Sequence, residues 1–202
     1  MEYIIVIMIG YLLGTSSMSY YIGKFKDVDI NKNGSKNLGA SNTMALIGWK
    51  AGVIVALHDI LKAYMAVILL RMLYPNLPYV GELAGVSCIL GHIFPFYLHF
   101  KGGKGFASYF GMTLAIDWKF ALCLALVLIF ITVVTDYIVI ATFTTMVAVP
   151  VYHGLFHSLI GACIMLIASM IMLYKHKENV DRLLNGTEVG LRSANKGEHR
   201  MK

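Results

Sequence analysis

Residues 51–73 read Ala-Gly-Val-Ile-Val-Ala-Leu-His-Asp-Ile-Leu-Lys-Ala-Tyr-Met-Ala-Val-Ile-Leu-Leu-Arg-Met-Leu. The run has the length of the roughly 20 apolar residues that a helix needs to cross a bilayer. Asp59 and Lys62 stand inside it, on one face of a helix. Charge at that depth is costly unless it is matched. The pair is therefore either a stiffening ion pair or part of a functional site, with His58 beside it.

The rest of the chain repeats the pattern. Its 202 residues are 58% hydrophobic and 14% charged, with a mean hydropathy of +0.70. A soluble domain carries about 25% charged residues, so this composition excludes a soluble globule, a disordered tail and a fibrous repeat. Apolar runs cover Tyr3–Lys24, Ala51–Leu73, Val80–Phe100, Phe106–Ile116, Phe120–Val134, Tyr137–Tyr152 and Leu155–Tyr174. The fourth is too short to cross unaided. The fold class predicted is all-α, a polytopic membrane bundle of about seven helices, one of them short. The first run lacks a basic leader and a small-residue cleavage site, so it reads as a retained helix. Cys88, Cys123 and Cys163 lie far apart in apolar runs, which favours buried small hydrophobes over disulfides or a zinc site.

Charge fixes the expected orientation. With the N-terminus outside, all but Arg71, Lys119 and Lys62 of the 17 Lys and Arg fall on the inner side. Basic loops stay inside, so N-out and C-in is predicted. The net charge of +6 then reflects those loops and an anionic substrate rather than nucleic acid. Residues 1–184 read as one transmembrane domain and residues 189–202 as a basic, mobile cytoplasmic tail.

Three polar segments share that inner side. In segment 31–52, Gly34 and Gly39 permit tight turns, while Ser35, Asn37 and Asn42 offer hydrogen bonds. Such a loop before a helix can cradle an oxyanion. Ala40 stands where a P-loop needs Lys, which excludes that motif. In segment 91–105, Lys101 and Lys104 flank Gly102 and Gly103, with Gly105 following. Two ammonium groups beside a flexible backbone nest suit a phosphate dianion. Pro95 is expected to kink this span, and His92 and His99 to share a helix face. Segment 176–188 follows the last span as an amphipathic helix that Asn185-Gly186 ends. Glu178 and Arg182 form an i,i+4 pair there. His176 and Asp181 match H-x-x-x-x-D, but five helical positions separate two side chains by about 140°, so that match is read as chance.

In order, these segments resemble the acyl-phosphate:glycerol-3-phosphate acyltransferases of bacterial membranes. The resemblance rests on Gly34-Ser35, Asn37, Gly39-Ala40, Asn42 and Gly48-Trp49-Lys50-Ala51-Gly52, on Asp59 and Lys62, on Gly91-His92, Pro95 and Phe100 through Gly105, and on His176, Glu178-Asn179 and Arg182 through Glu188. It implies a multi-pass protein of the bacterial cell membrane with its active site facing the cytoplasm. The implied reaction moves a fatty acyl group from acyl phosphate to the sn-1 hydroxyl of glycerol 3-phosphate. Lysophosphatidic acid and phosphate are released, the first step of phospholipid synthesis. It implies no cofactor, no metal, no nucleic acid and no obligate protein partner, with membrane lipids as surroundings. By this resemblance Ser35, Lys104, His176 and Asn179 are the catalytic candidates. Gly34, Asn37, Gly39, Asn42, Lys101, Gly102, Gly103 and Gly105 would form the phosphate loops. Asp59, Lys62, His92, Arg182, Gly186 and Glu188 would support them.

The sequence departs from that family in places. Ala45 stands where an Arg is usual, Lys36 where a Gly is, and Ala63 where a Gly follows Lys62. Thr135-Asp136-Tyr137-Ile138-Val139 replaces a Thr-Arg-Tyr-x-Ser element. A divergent paralogue with another phosphorylated acceptor is one alternative. A non-catalytic membrane or transport protein is another, although polar groups cluster at one face and no inverted repeat is visible.

Overall fold

The computed structural model describes residues 1–190 and 192; the greater part of the expected tail lies outside the described residues. Among the described residues all regular structure is helical. The helices are α1 (Glu2–Thr15), α2 (Met18–Phe25), α3 (Ala40–Ile47), α4 (Trp49–Leu73), α5 (Val80–Ile93), α6 (Phe106–Ile116), α7 (Trp118–Thr135), α8 (Ile138–Phe156), α9 (Leu159–Lys175) and α10 (Lys177–Leu184), with a 3-10 turn at Phe96–Leu98. Five spans are long and apolar enough to cross a membrane: Glu2–Phe25, Trp49–Leu73, Val80–Leu98, Trp118–Thr135 and Ile138–Phe156. The pair α9 and α10, bent by 53°, makes a sixth if it counts as one span. Each of the seven apolar runs of the sequence thus carries a helix.

The chain packs as two compact units, Met1–Trp118 and a second beginning at Lys119. In the first, α1 lies on α5, and α4 lies on α3, α5 and α6. Small residues set these crossings. A methyl at Gly10 would meet the Ala84 carbonyl at 2.8 Å, and one at Gly14 would run into the Cys88 backbone. Gly91 meets the Tyr11 carbonyl in the same way, and Gly111 the Ile60 carbonyl. Without a hydrophobic driving force in lipid, such close backbone approach is what holds helices together. Ala63, Ala66 and Cys88 form a fully buried cluster between α4 and α5, which is why position 63 takes a small side chain.

In the second unit α8 packs on α9, and Phe120 of α7 stacks on Tyr152 of α8 with centroids 3.7 Å apart. Asp136, at φ 70°, ends α7 and accepts the Arg192 backbone N–H at 2.9 Å. Large apolar side chains face outward on α1, α4, α7, α8 and α9, among them Leu12, Leu61, Phe130, Val147 and Ile167, whereas α5 is almost wholly buried. In water such a surface would be an aggregation site; in a bilayer it is the lipid-facing surface.

Three expectations need correction. Pro95 ends α5 at Ile93 rather than kinking it, because the residue before a proline is driven out of the helical region. His99 therefore lies outside the helix at φ 52° and shares no face with His92. Only Cys88 is buried; Cys123 and Cys163 are exposed on outward helix faces, where an apolar thiol is tolerated by lipid.

Substituting Gly14 by Leu is expected to separate α1 from α5, since overpacking costs about 1–3 kcal/mol or more. A thermal melt in detergent should show a clear loss of stability. Gly154→Ala, whose added methyl meets Ala162 Cβ at 3.3 Å and Leu159 Cδ1 at 4.0 Å and no backbone, should melt close to the parent protein.

Candidate active site

The loop between α2 and α3 is tied to Asn42. The Asn42 amide accepts the Ser35 N–H at 2.9 Å and donates to the carbonyls of Ile30, Asn33 and Asn37 at 3.1–3.2 Å. One buried side chain thus knots a whole turn, as Asn does when its amide substitutes for backbone partners. Gly34 takes φ +60°, and Lys36 the left-handed φ of 55°, the conformation a glycine adopts without strain. Gly39 is extended, at φ −140°, and caps α3. Ser35 is exposed at the tip of the loop, while Leu38 behind it is buried. Ala45 is exposed on α3.

Ile30 and Leu38 of this loop share a small apolar core with Leu98, from the turn that follows Pro95. The structure thereby joins segments 31–52 and 91–105. Beyond Leu98, the chain doubles back along the end of α5. The Gly102 N–H donates to Ile93 O and the Gly103 N–H to His92 O, both at 3.1 Å. The expectation that these two amides form a phosphate nest is corrected. They instead satisfy carbonyls left over at the helix terminus. Glycine is required by proximity, because a methyl at Gly103 would meet the His92 ring and, at 2.9 Å, the Leu38 carbonyl. Lys101 is exposed and Lys104 half-buried. Gly105, at φ 95°, then opens α6, whose first-turn N–H groups are suited to an anion. Ser108 in that first turn has a buried hydroxyl without a partner.

Behind the glycine turn lies a buried polar cluster. Lys62 Nζ stands 2.8 Å from Asp59 Oδ1 and 2.8 Å from His92 Nδ1, and donates to the Ser16 carbonyl at 2.7 Å. Asp59 Oδ1 also lies 3.3 Å from His92 Nδ1. Ser16 is the break between α1 and α2, and its hydroxyl meets His58 Nε2 at 3.1 Å. The intramembrane pair seen in the sequence thus links three spans, and His92 carries the link to Gly103. Nothing in the sequence singles out Ser16. Nor does it single out Ser19 and Thr43, whose hydroxyls meet at 2.7 Å and tie α2 to α3; only their small polar character near a span end is visible.

The third segment closes on itself within the second unit. Glu188 accepts from Asn179 Nδ2 at 2.8 Å and from Arg182 Nε at 2.7 Å. Gly186, at φ 66°, turns the chain so that the Thr187 N–H reaches Arg182 O at 2.8 Å. Arg182 meets Glu178 only at 3.9 Å, so Glu188 is its main partner. His176 is buried, with Nδ1 2.7 Å from the Met172 carbonyl. A carbonyl only accepts, so Nδ1 carries a proton and donates it there. The Met172 carbonyl thus fills the orienting role that H-x-x-x-x-D would give to Asp181. Among the described residues no group of three or more His, Cys, Asp and Glu is placed to hold a metal.

The cluster generates a direct test. Lys62→Met leaves Asp59 buried and unmatched, and breaking a buried pair costs about 3–5 kcal/mol. The double variant Asp59→Asn/Lys62→Met removes both charges and should recover much of that loss in a detergent melt.

A family model described as glycerol-3-phosphate acyltransferase matches residues 4–186. The glycerol-3-phosphate acyltransferase 1 of Oceanobacillus iheyensis is 37% identical over 200 residues, covering 96% of this chain and 97% of the relative. The glycerol-3-phosphate acyltransferase of Lactiplantibacillus plantarum is 34% identical over 194 residues, covering 93% and 91%. The crystal structure of PlsY (YgiH), an integral membrane glycerol 3-phosphate acyltransferase, superposes in its glycerol 3-phosphate form with a TM-score of 0.88 at 29% identity, covering 95% of this chain and 96% of that one. Its lysophosphatidic acid form gives 0.85 at 28% identity, covering 96% and 97%. Fold, span pattern and relatives agree that this multi-pass membrane protein belongs to the glycerol-3-phosphate acyltransferase family.

Proposed function

We propose that the chain transfers a fatty acyl group from acyl phosphate to the sn-1 hydroxyl of glycerol 3-phosphate on the cytoplasmic side of the bacterial cell membrane. The observation that supports this most is the union of the Ser35 loop with the Lys101–Gly105 turn. It sets Lys101 and Lys104 beside the first turn of α6, a cationic setting for phosphate. The density of Lys and Arg on the loops of that side supports the orientation.

The chemistry needs little from a protein nucleophile. The acceptor hydroxyl oxygen forms a bond to the acyl carbon, and the bond from that carbon to the phosphate oxygen breaks. Phosphate leaves with the electron pair. The hydroxyl proton goes to the departing phosphate. Positioning and stabilisation of developing negative charge can then supply most of the rate. Ser35, Gly34, Asn37 and Gly39 are assigned to the donor phosphate, with Asn42 holding their turn. Within the first unit Lys104 is assigned to substrate phosphate; within the second, His176 and Asn179 are the candidate polar groups, with Arg182, Gly186 and Glu188 fixing Asn179. Gly102, Gly103 and Gly105 shape the lysine turn, and Asp59, Lys62 and His92 brace it.

In purified protein, phosphate release from palmitoyl phosphate should depend on glycerol 3-phosphate and yield lysophosphatidic acid. Lys104→Ala should abolish it while leaving the melt unchanged. Release without acceptor dependence, from folded protein, would remove this reading. Ala45→Arg should lower the KM for glycerol 3-phosphate by about tenfold or more, because a charge-assisted contact contributes about 1.5–3 kcal/mol. An unchanged KM would place the acceptor phosphate away from α3.

A further inference from the structure

A second cationic feature lies away from the lysine–glycine turn. A groove of about 460 Å³ opens between the end of α2 and the first turn of α4. That volume falls in the range of small-molecule sites. Its walls are apolar, formed by Ile22, Phe25, Ile47 and Ile54, and its lining holds no acidic residue. Gly48 forms part of the lining and leaves it open, since a methyl there would meet nothing within 4 Å. Lys26 and Lys50 stand at the rim. Lys26 Nζ lies 5.6 Å from the Phe25 ring and Lys50 Nζ 5.8 Å from the Trp49 ring. Among the described residues neither ammonium takes part in an ion pair.

The groove is also continuous with an outward apolar stripe. Ile54 belongs both to its wall and to the outward stripe of α4 that continues through Leu57, Leu61 and Met65. Trp49 and Phe25 are exposed at its mouth, the position where aromatic rings sit at headgroup level. The ligand that matches is an amphiphile with a negative head and an aliphatic tail. The tail would follow Ile54 along α4, and the head would meet two unpaired ammonium groups. We propose that this groove is a binding site for an anionic phospholipid of the surrounding bilayer. The inference does not rest on the acyltransferase reading, because none of the lining residues is assigned above to catalysis or substrate binding and the test is by binding alone.

Trp49 supplies its own probe, since the chain has 2 tryptophans and Trp118→Phe leaves it as the single emitter. That variant is placed in phosphatidylcholine vesicles containing a few mole per cent of brominated phosphatidylglycerol, or the same fraction of brominated phosphatidylcholine. Brominated phosphatidylglycerol should quench Trp49 more strongly than brominated phosphatidylcholine. Adding Lys26→Gln and Lys50→Gln should weaken the preferential quenching about thirty-fold in lipid titration, whereas Lys26→Arg/Lys50→Arg should retain it. Equal quenching by the two lipids would overturn the proposal, and this comparison needs no change in the groove itself. So would preferential quenching that survives the glutamine pair. Relief of the quenching by unbrominated palmitoyl phosphate, with no relief by unbrominated phosphatidylglycerol, would reassign the groove to a single-chain substrate and likewise overturn it.

Discussion

Lys62 is the point on which the first unit turns. An ammonium group inside a membrane must be matched or the helix that bears it is unstable there. Asp59 supplies the charge, the Ser16 carbonyl supplies an acceptor from the break in the first span, and His92 supplies one from α5. Each partner comes from a different stretch of chain, so the cost of one buried charge fixes the mutual placement of α1, α4 and α5. The break at Ser16 follows from the same need, because an unbroken helix would keep that carbonyl in its own ladder. A buried pair of this kind is weak evidence for net stability, but it selects one arrangement over others.

The glycines do the complementary work at the backbone. Gly10, Gly14, Gly91 and Gly111 admit another helix's main chain where any side chain would collide. Gly102 and Gly103 admit the returning turn against α5 and the Leu38 carbonyl. The lysine turn is therefore held from beneath by hydrogen bonds to α5, from one side by the His92 ring, and through Leu98 by the Ser35 loop. Catalysis by positioning requires such rigidity, since a displacement of about 1 Å can cost on the order of a hundredfold in rate. Glu188 plays the corresponding part for the third segment, clamping Asn179 and Arg182 at once.

Much of this was legible in the sequence, and particular residues show why. The seven apolar runs mark the helices because bilayer thickness sets their length. Gly186 marks the end of α10 and Gly34 a left-handed turn, since both are local conformational needs. The Gly102–Gly103 nest was misread because sequence shows only that the backbone there is free to bend. Which carbonyls its amides reach depends on where α5 ends. Pro95 was misread for a related reason: whether a proline kinks or stops a helix depends on what can replace the lost partners. Gly10 and Gly14 stand unremarked in the first apolar run, because the residues they meet, Ala84 and Cys88, are distant in the chain.

The sequence by itself determined that this is a multi-span helical membrane protein with three polar segments, because hydropathy and local motif chemistry need no partner to be read. Only the tertiary structure decided that Asn42 knots a loop, that two glycine amides cap α5, and that Asp59, Lys62, His92 and Ser16 meet. The Lys62 contacts to Ser16 and His92 join residues far apart in the chain, and the loop contacts depend on turns whose path the local sequence leaves open. The physical reason is that a buried donor, acceptor or charge must find its partner somewhere, and the path of the folded chain selects which one.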